Sequence, residues 1–113
     1  MHEISVCESV RRIVEEHARA HAVRRVRRVR LEIGRFSCVG GEAMRFAFDV
    51  VMKGSVADGA ELVLVELPGR ARCDACGRDV EIDDWLAPCP VCGSPGLTPL
   101  GGDEMRIRDM EVA

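Results

Sequence analysis

Aromatic residues are scarce in this sequence of 113 residues, at 4%, with one Trp and no Tyr. A surface that stacks nucleic-acid bases needs such rings as well as positive charge. Here Lys+Arg 16 stand against Asp+Glu 19. The sequence also lacks an apolar run of the roughly 20 residues that a membrane-spanning helix requires. We therefore expect neither nucleic acid nor membrane as a partner.

The amino terminus shows none of the features of a signal peptide. Met1, His2 and Glu3 provide no basic segment, and no long apolar segment follows them. We therefore expect a cytoplasmic protein, in which six cysteines do not pair as three disulfides. Four of them occur in two Cys-x-x-Cys units, which in a reducing compartment indicate metal binding.

Hydrophobic periodicity predicts two helices and three strands. Residues 4–21 and 42–53 show helical spacing, and residues 25–36, 62–67 and 104–112 show strand patterns. The core face expected for the first helix consists of Ile4, Cys7, Val10, Val14, Ala18 and His21. The core face expected for the second consists of Ala43, Phe46, Ala47 and Val50. The strand 62–67 alternates little, which predicts burial on both of its faces.

The order of these elements predicts an α+β fold with one insertion. Residues 70–100 are turn-rich, and proline and glycine between residues 95 and 102 predict an exit linker. The last strand is too short to form a domain, so we expect it to return to the first sheet, with Met105 and Val112 facing inward and a bulge or an edge near Asp109. The predicted fold is a small sheet of about three strands packed with two helices, plus an inserted four-cysteine zinc ribbon. Residues 1–69 and 103–113 would form one α/β domain, which includes the amino terminus, and residues 70–102 would form the ribbon.

The paired cysteines predict one structural zinc ion. Each unit is a Cys-x-x-Cys-Gly knuckle, in which the glycine lets backbone amides approach the thiolates. Two facing knuckles supply four thiolates at roughly 2.3 Å from the metal and leave no position for a water ligand. The predicted zinc ligands are Cys73, Cys76, Cys89 and Cys92.

Two other interpretations of the ribbon stay open from the sequence. Iron in the same four-thiolate site would make an electron carrier, although zinc is the usual occupant of cytosolic ribbons. A zinc ribbon beside arginines would also suit nucleic acid. The basic run comprises Arg24, Arg25, Arg27, Arg28 and Arg30. Scarce aromatics and negative net charge instead favour a solvated strand face or an acidic partner for this run.

The first three residues form a candidate nickel site. The bulky His2 is expected to prevent removal of Met1. The Met1 amine and the His2 amide close a five-membered chelate ring, and the His2 amide and Nδ1 close a six-membered one. Such nitrogen donors suit square-planar Ni(II) or Cu(II), and the Glu3 amide or a Glu3 oxygen would be the fourth ligand. The alternative is an incidental histidine, with Glu3 stabilising the helix N-terminus.

The sequence as a whole resembles the HypA/HybF family of nickel chaperones for hydrogenase maturation. The resemblance rests on the Met1-His2-Glu3 start, the segment Glu32 to Ser37, the helix Phe46 to Gly54, the ribbon, and the ending Met105 to Val112. It implies that Met1, His2 and Glu3 bind Ni(II) as transient cargo. It also implies that the four ribbon cysteines hold zinc.

The same resemblance implies particular partners. They are a HypB-type GTPase and the NiFe-hydrogenase large-subunit precursor, with urease maturation as a second client in some organisms. The predicted function is therefore a metallochaperone, not an enzyme, acting as a monomer or as a weak or strand-swapped homodimer.

Four further side chains remain without an assigned role. His17 and His21 lie four residues apart and could chelate a metal, but we expect them to pack beside the core near the helix C-terminus. Cys7 is expected in the core, and Cys38 near a turn.

Overall fold

The computed structural model describes residues 2–37, 39–84 and 86–113, with residue 2 described by its backbone alone. Over these residues the chain forms two helices and six strands. They are α1 (His2–Ala20), β1 (Val26–Gly34), α2 (Gly41–Val51), β2 (Glu61–Leu67), β3 (Gly69–Cys73), β4 (Asp79–Ile82), β5 (Leu97–Gly101) and β6 (Met105–Val112). Neither helix in this part of the chain is long and apolar enough to cross a membrane.

The strands form two three-stranded sheets, in the orders β2-β1-β6 and β4-β3-β5. β6 returns to β1 and lies at the edge of the first sheet, as predicted. The α+β fold with two helices, a small sheet and a four-cysteine cluster is confirmed. The second sheet was not predicted, because strands of four or five residues are too short to show a clear period.

The predicted exit linker is wrong over residues 97–101. These residues form β5, which pairs antiparallel with β3. β5 lies at a sheet edge, with a register irregularity between Arg70 and Ala71 on its partner strand. An edge strand tolerates Pro99, which has no N–H to donate to a neighbour.

The chain divides into two compact units. The first contains Met1–Leu31, Val39–Val65 and Arg106–Ala113, and the second contains Glu32–Cys38 and Glu66–Met105. The domain boundaries inferred above from the sequence stay a prediction.

In the first unit, α1 buries one stripe of side chains. Cys7, Val10, Val14 and Ala18 are each at most 5% exposed, and their spacings of three and four place them on one helix face. This part of the predicted core face is confirmed, whereas His21 is exposed. α1 packs against α2.

The core face predicted for α2 is confirmed at Ala47 and wrong at its other positions. Phe46 and Val50 are 70% and 45% exposed, and the buried side chains of the helix are Met44, Ala47 and Phe48. Both faces of α2 carry apolar residues at helical spacing, so the period alone did not distinguish them. The buried face is the one from which Met44 reaches Cys7, with 3.4 Å between the two sulfur atoms.

The strands of the first sheet follow the prediction in part. β1 alternates as expected, and its inward residues Val29, Leu31 and Ile33 are buried. β2 is not buried on both faces. It lies at the edge of the sheet, where Leu62 is buried and the other side chains are half-buried or exposed. Met105 and Val112 of β6, expected to face inward, are 37% and 47% exposed.

In the second unit, the chain after β1 packs tightly against the segment before β6. The Gly34 N–H donates to the Glu104 carbonyl oxygen at 2.7 Å, and the Phe36 N–H donates to the Gly102 carbonyl oxygen. A Cβ atom on Gly34 would lie 2.6 Å from the Asp103 nitrogen and closer still to the Gly102 carbonyl. Only glycine fits this close approach of two backbones.

Candidate metal centre

The first cysteine knuckle begins where β3 ends, at Cys73. The Gly77 N–H donates to the Cys73 carbonyl oxygen at 2.8 Å, and the Cys73 N–H donates to the Arg78 carbonyl oxygen at 2.9 Å. Gly77 has a φ of 74°, which glycine adopts without steric cost. The turn brings the Cys76 N–H to 3.4 Å from the Cys73 Sγ atom, to which it donates.

The second knuckle repeats this backbone pattern. The Gly93 N–H donates to the Cys89 carbonyl oxygen at 2.8 Å, and the Cys89 N–H donates to the Ser94 carbonyl oxygen, also at 2.8 Å. Gly93 has a φ of 78°. Two copies of Cys-x-x-Cys-Gly therefore fold into two equivalent turns, each held by its own local hydrogen bonds.

The two knuckles bring four sulfur atoms together. All four Sγ atoms lie within 4.8 Å of one another, with 3.4 Å between Cys73 and Cys92 and 3.9 Å between Cys76 and Cys89. A tetrahedron with metal–sulfur bonds of roughly 2.3 Å has sulfur–sulfur edges of about 3.8 Å. The observed spacing fits a four-thiolate metal centre.

The cluster joins the core of the second unit to its surface. Cys73 and Cys89 are buried, and Cys76 and Cys92 are exposed. The two buried cysteines belong to a small core with Ala71, Val80 and Ile82. Phe36 and Leu97 pack against this core.

Hydrogen bonds within the cluster give its thiols different pKa values. The Cys76 N–H, aided by the Cys92 thiol, lowers the pKa of Cys73 to about 6 although burial opposes this shift. The Cys92 N–H lowers the pKa of Cys89 in the same way. The Ser94 N–H also acts to lower the pKa of Cys92. The hydrogen bond between the Cys92 and Cys73 sulfur atoms, together with burial, outweighs it and raises the Cys92 pKa to about 11. Each knuckle thus offers one sulfur that readily becomes a thiolate, the form that binds metals.

The centre is closed to catalysis by a metal-bound water. Four cysteine ligands complete a tetrahedron, whereas a catalytic zinc keeps one position for water or substrate. Over the described residues, these four cysteines are the one group of three or more His, Cys, Asp or Glu residues placed to hold a metal. The arrangement therefore suits a structural metal.

Comparison with known proteins places the chain in a family. A family model described as "Hydrogenase/urease nickel incorporation, metallochaperone, hypA" matches residues 1–112. The chain belongs to the HypA family. The hydrogenase maturation factor HypA of Paracoccus denitrificans is 61% identical over 112 residues, which cover 99% of both chains. The HypA of Rhodobacter capsulatus is 53% identical over the same length and coverage.

Solved structures of HypA proteins share this fold. The solution structure of the Ni metallochaperone HypA from Helicobacter pylori has a TM-score of 0.70 and 27% identity, over 97% of this chain and 96% of that one. A second HypA solution structure has a TM-score of 0.74 and 28% identity, over 100% and 97%. The resemblance to the HypA family noted from the sequence is confirmed.

Of the predicted nickel ligands, the structure describes Glu3 in full. Met1 and the His2 side chain lie outside the described residues, and α1 begins at His2. The Glu3 carboxylate accepts a hydrogen bond from the Gly40 N–H at 3.4 Å, and Gly40 is the N-cap residue of α2. Sequence analysis missed this contact, because 37 residues separate the two groups.

The remaining cysteines and histidines have different outcomes. Cys7 is 1% exposed, as predicted, and burial together with the charge of Glu3 raises its pKa to about 11. Cys38 lies outside the described residues. His17 and His21 are exposed, so the expectation that they pack beside the core is wrong.

Part of the basic run is paired with carboxylates within the first sheet. Arg28 contacts Glu61 at 2.7 Å and Glu111 at 2.9 Å, and Arg30 contacts Asp109 at 2.6 Å. A surface that binds phosphates keeps its arginines available for them. These cross-strand ion pairs therefore weigh against the nucleic-acid alternative.

Proposed function

We propose that this chain is a nickel metallochaperone of hydrogenase maturation that carries Ni(II) at its amino terminus and is not an enzyme. The match to the HypA family over residues 1–112, whose description names nickel incorporation into hydrogenase and urease, carries the function. A closed four-cysteine centre, which has no position for substrate, agrees with a carrier.

The proposed nickel ligands are the Met1 amine, the His2 amide and imidazole, and the Glu3 amide or carboxylate. Supporting this site, α1 begins at His2, and the first amides of a helix have no carbonyl partner within the helix. Ni(II) can therefore displace an amide proton at His2 or Glu3 without breaking a helical hydrogen bond. The strong-field nitrogen donors then favour square-planar geometry.

Electrostatics at the helix start make the proposed binding reversible. The N-terminus of a helix carries partial positive charge, which disfavours a cation. A deprotonated amide and the nearby Glu3 carboxylate offset this repulsion. Reprotonation of the amide, or thiolates offered by a client, would then release the metal by ligand exchange.

We propose zinc as the ion of the four-cysteine centre, held by Cys73, Cys76, Cys89 and Cys92 as a structural staple of residues 70–102. The sulfur spacing supports a four-thiolate ion of this size, and zinc supplies folding free energy in such sites. The iron alternative predicts a coloured protein. A colourless protein with one equivalent of zinc by elemental analysis would exclude it.

The proposed partners belong to the hydrogenase maturation machinery. We propose a HypB-type GTPase as a partner and the NiFe-hydrogenase large-subunit precursor as the client, with urease maturation as a second client in some organisms. We propose the cytoplasm as location, and a monomer or a weak or strand-swapped homodimer as the oligomeric state. Mixing with each purified partner, followed by chromatography with and without Ni(II), tests these assignments.

Nickel titration tests the N-terminal site. Three zinc-loaded, untagged proteins are compared: the native start, His2→Ala, and the native sequence with Ser-Gly-Pro placed before Met1, where the proline has no N–H and interrupts chelation by successive amides. All carry His17→Gln and His21→Gln, which removes the remaining histidines. We expect one equivalent of nickel with a square-planar visible spectrum for the native start alone. Equal binding by all three proteins would overturn the N-terminal assignment.

A further inference from the structure

Two exposed histidines lie at the C-terminal end of α1, His17 in its last turn and His21 one residue past its last residue. His17 and His21 lie one turn apart, and their rings stack with centroids 4.2 Å apart and an interplanar angle of 24°. Side chains four residues apart on a helix are neighbours. Because both rings are exposed, core packing does not fix them, and rotation about their side-chain bonds can bring one nitrogen of each ring to a shared ion.

The hydrogen bond of His21 prepares its ring for metal binding. The His21 Nδ1 atom lies 3.1 Å from the His17 carbonyl oxygen. Because a carbonyl oxygen only accepts, this hydrogen bond selects the tautomer with the proton on Nδ1, in which Nε2 is the nitrogen that offers a lone pair to a metal. Histidines that bind metals commonly donate their other N–H to a carbonyl in this way.

The electrostatics of this end of the helix suit a cation. The C-terminus of a helix carries partial negative charge, and α1 ends at Ala20, between the two histidines. A groove of about 400 Å³ borders His17 and is lined also by Arg108 and Asp109. The Asp109 carboxylate is already paired with Arg30 at 2.6 Å, so it does not offset the positive charge of Arg108. Arg108 therefore repels a cation in this groove, and we expect moderate affinity.

We propose that His17 and His21 together bind one divalent transition-metal ion, Ni(II) or Cu(II), at a site separate from the amino terminus. At a rise of 1.5 Å per residue the two ends of α1 are about 25 Å apart, so neither site contributes ligands to the other. The proposal goes beyond the nickel-carrying function and does not depend on the N-terminal site.

The test uses Ni(II) alone as the probe, on zinc-loaded and untagged protein carrying His2→Ala. We expect this protein to bind one equivalent of Ni(II) by equilibrium dialysis. At substoichiometric Ni(II) we expect the ring NMR signals of His17 and His21 to broaden together. Either His17→Gln or His21→Gln should weaken binding by about a hundredfold, the low end of the gain from a second tethered ligand.

A matched variant separates a chelate from two independent histidines. Arg19→His combined with His21→Gln keeps two histidines but places them two residues apart, on different faces of the helix. We expect this variant to bind as weakly as His21→Gln alone, with unchanged helix content by circular dichroism. The proposal fails if that variant binds like the His2→Ala protein, or if His17→Gln has no effect. These results leave the N-terminal site untouched, because that site is disabled in every arm.

Discussion

Loss of one cysteine ligand is expected to unfold the second unit selectively. The change is Cys73→Ser, at a position that is fully buried and lies at the end of β3. The substitution removes one of the four thiolates and places a hydroxyl group in the small core. We expect zinc to be lost and the ribbon to lose its fixed structure.

The size of the expected destabilisation follows from the small apolar core of this unit. Apart from the two ligand cysteines, the buried cluster beside the metal centre consists of Ala71, Val80 and Ile82. Burying the valine and the isoleucine contributes roughly 3–6 kcal/mol. A structural zinc ion contributes about 10–16 kcal/mol in small zinc domains. The metal therefore stabilises the unit more than apolar burial does, and burial alone does not replace it.

The assay combines elemental analysis with amide NMR spectra. In Cys73→Ser we expect less than one equivalent of zinc and collapse of the dispersed signals of Ala71, Val80 and Ile82. The signals of α1 and α2 should stay dispersed. Cys7→Ala is the matched control, because it removes a buried cysteine outside the cluster and should retain zinc. Dispersed ribbon signals in metal-free Cys73→Ser would refute the reasoning.

Four further predictions test the fold and the centre. Phe48→Ala should cost about 3–5 kcal/mol by denaturant unfolding, whereas Phe46→Ala, at a side chain 70% exposed, should change stability by less than about 0.5 kcal/mol. Gly34→Ala should lower stability by about 3 kcal/mol or more in the same assay, because its Cβ meets the backbone of the facing segment. Arg28→Ala should lower stability only slightly, with a loss that shrinks in high salt, because its ion pairs are exposed; a large, salt-independent loss would contradict this. Zinc affinity, measured by competition with a chelator, should fall as the pH is lowered, because protons compete for the ligand thiolates, and should fall more steeply below about 6, where the Cys73 thiol is protonated as well; a flat profile would argue against thiolate ligation.

The two proposed nickel-binding regions differ in their electrostatic setting. The N-terminal donors bring their own negative charge through amide deprotonation, against the positive end of α1. The His17–His21 pair offers neutral ligands at the negative end of the same helix. The first site therefore needs negative charge from its ligands, whereas the second gains attraction from the helix itself.

The sequence by itself determined the cysteine cluster, the core stripe of α1 and the alternation of β1. These features depend on short-range geometry: the Gly77 N–H reaches back only to Cys73, and one helix turn relates Val10 to Val14. The family could be recognised from the sequence for the same reason, because the motifs that identify it are short stretches of consecutive residues.

Only the tertiary structure decided which face of α2 is buried, that residues 97–101 form a strand, and that the histidines of α1 are exposed. Each choice depends on partners distant in sequence. Met44 is buried where it meets Cys7, 37 residues away, and Thr98 pairs with Arg72 across the ribbon. The hydrophobic period of the sequence shows which residues share one face of a helix or strand. Which face becomes buried depends on the elements that pack against it.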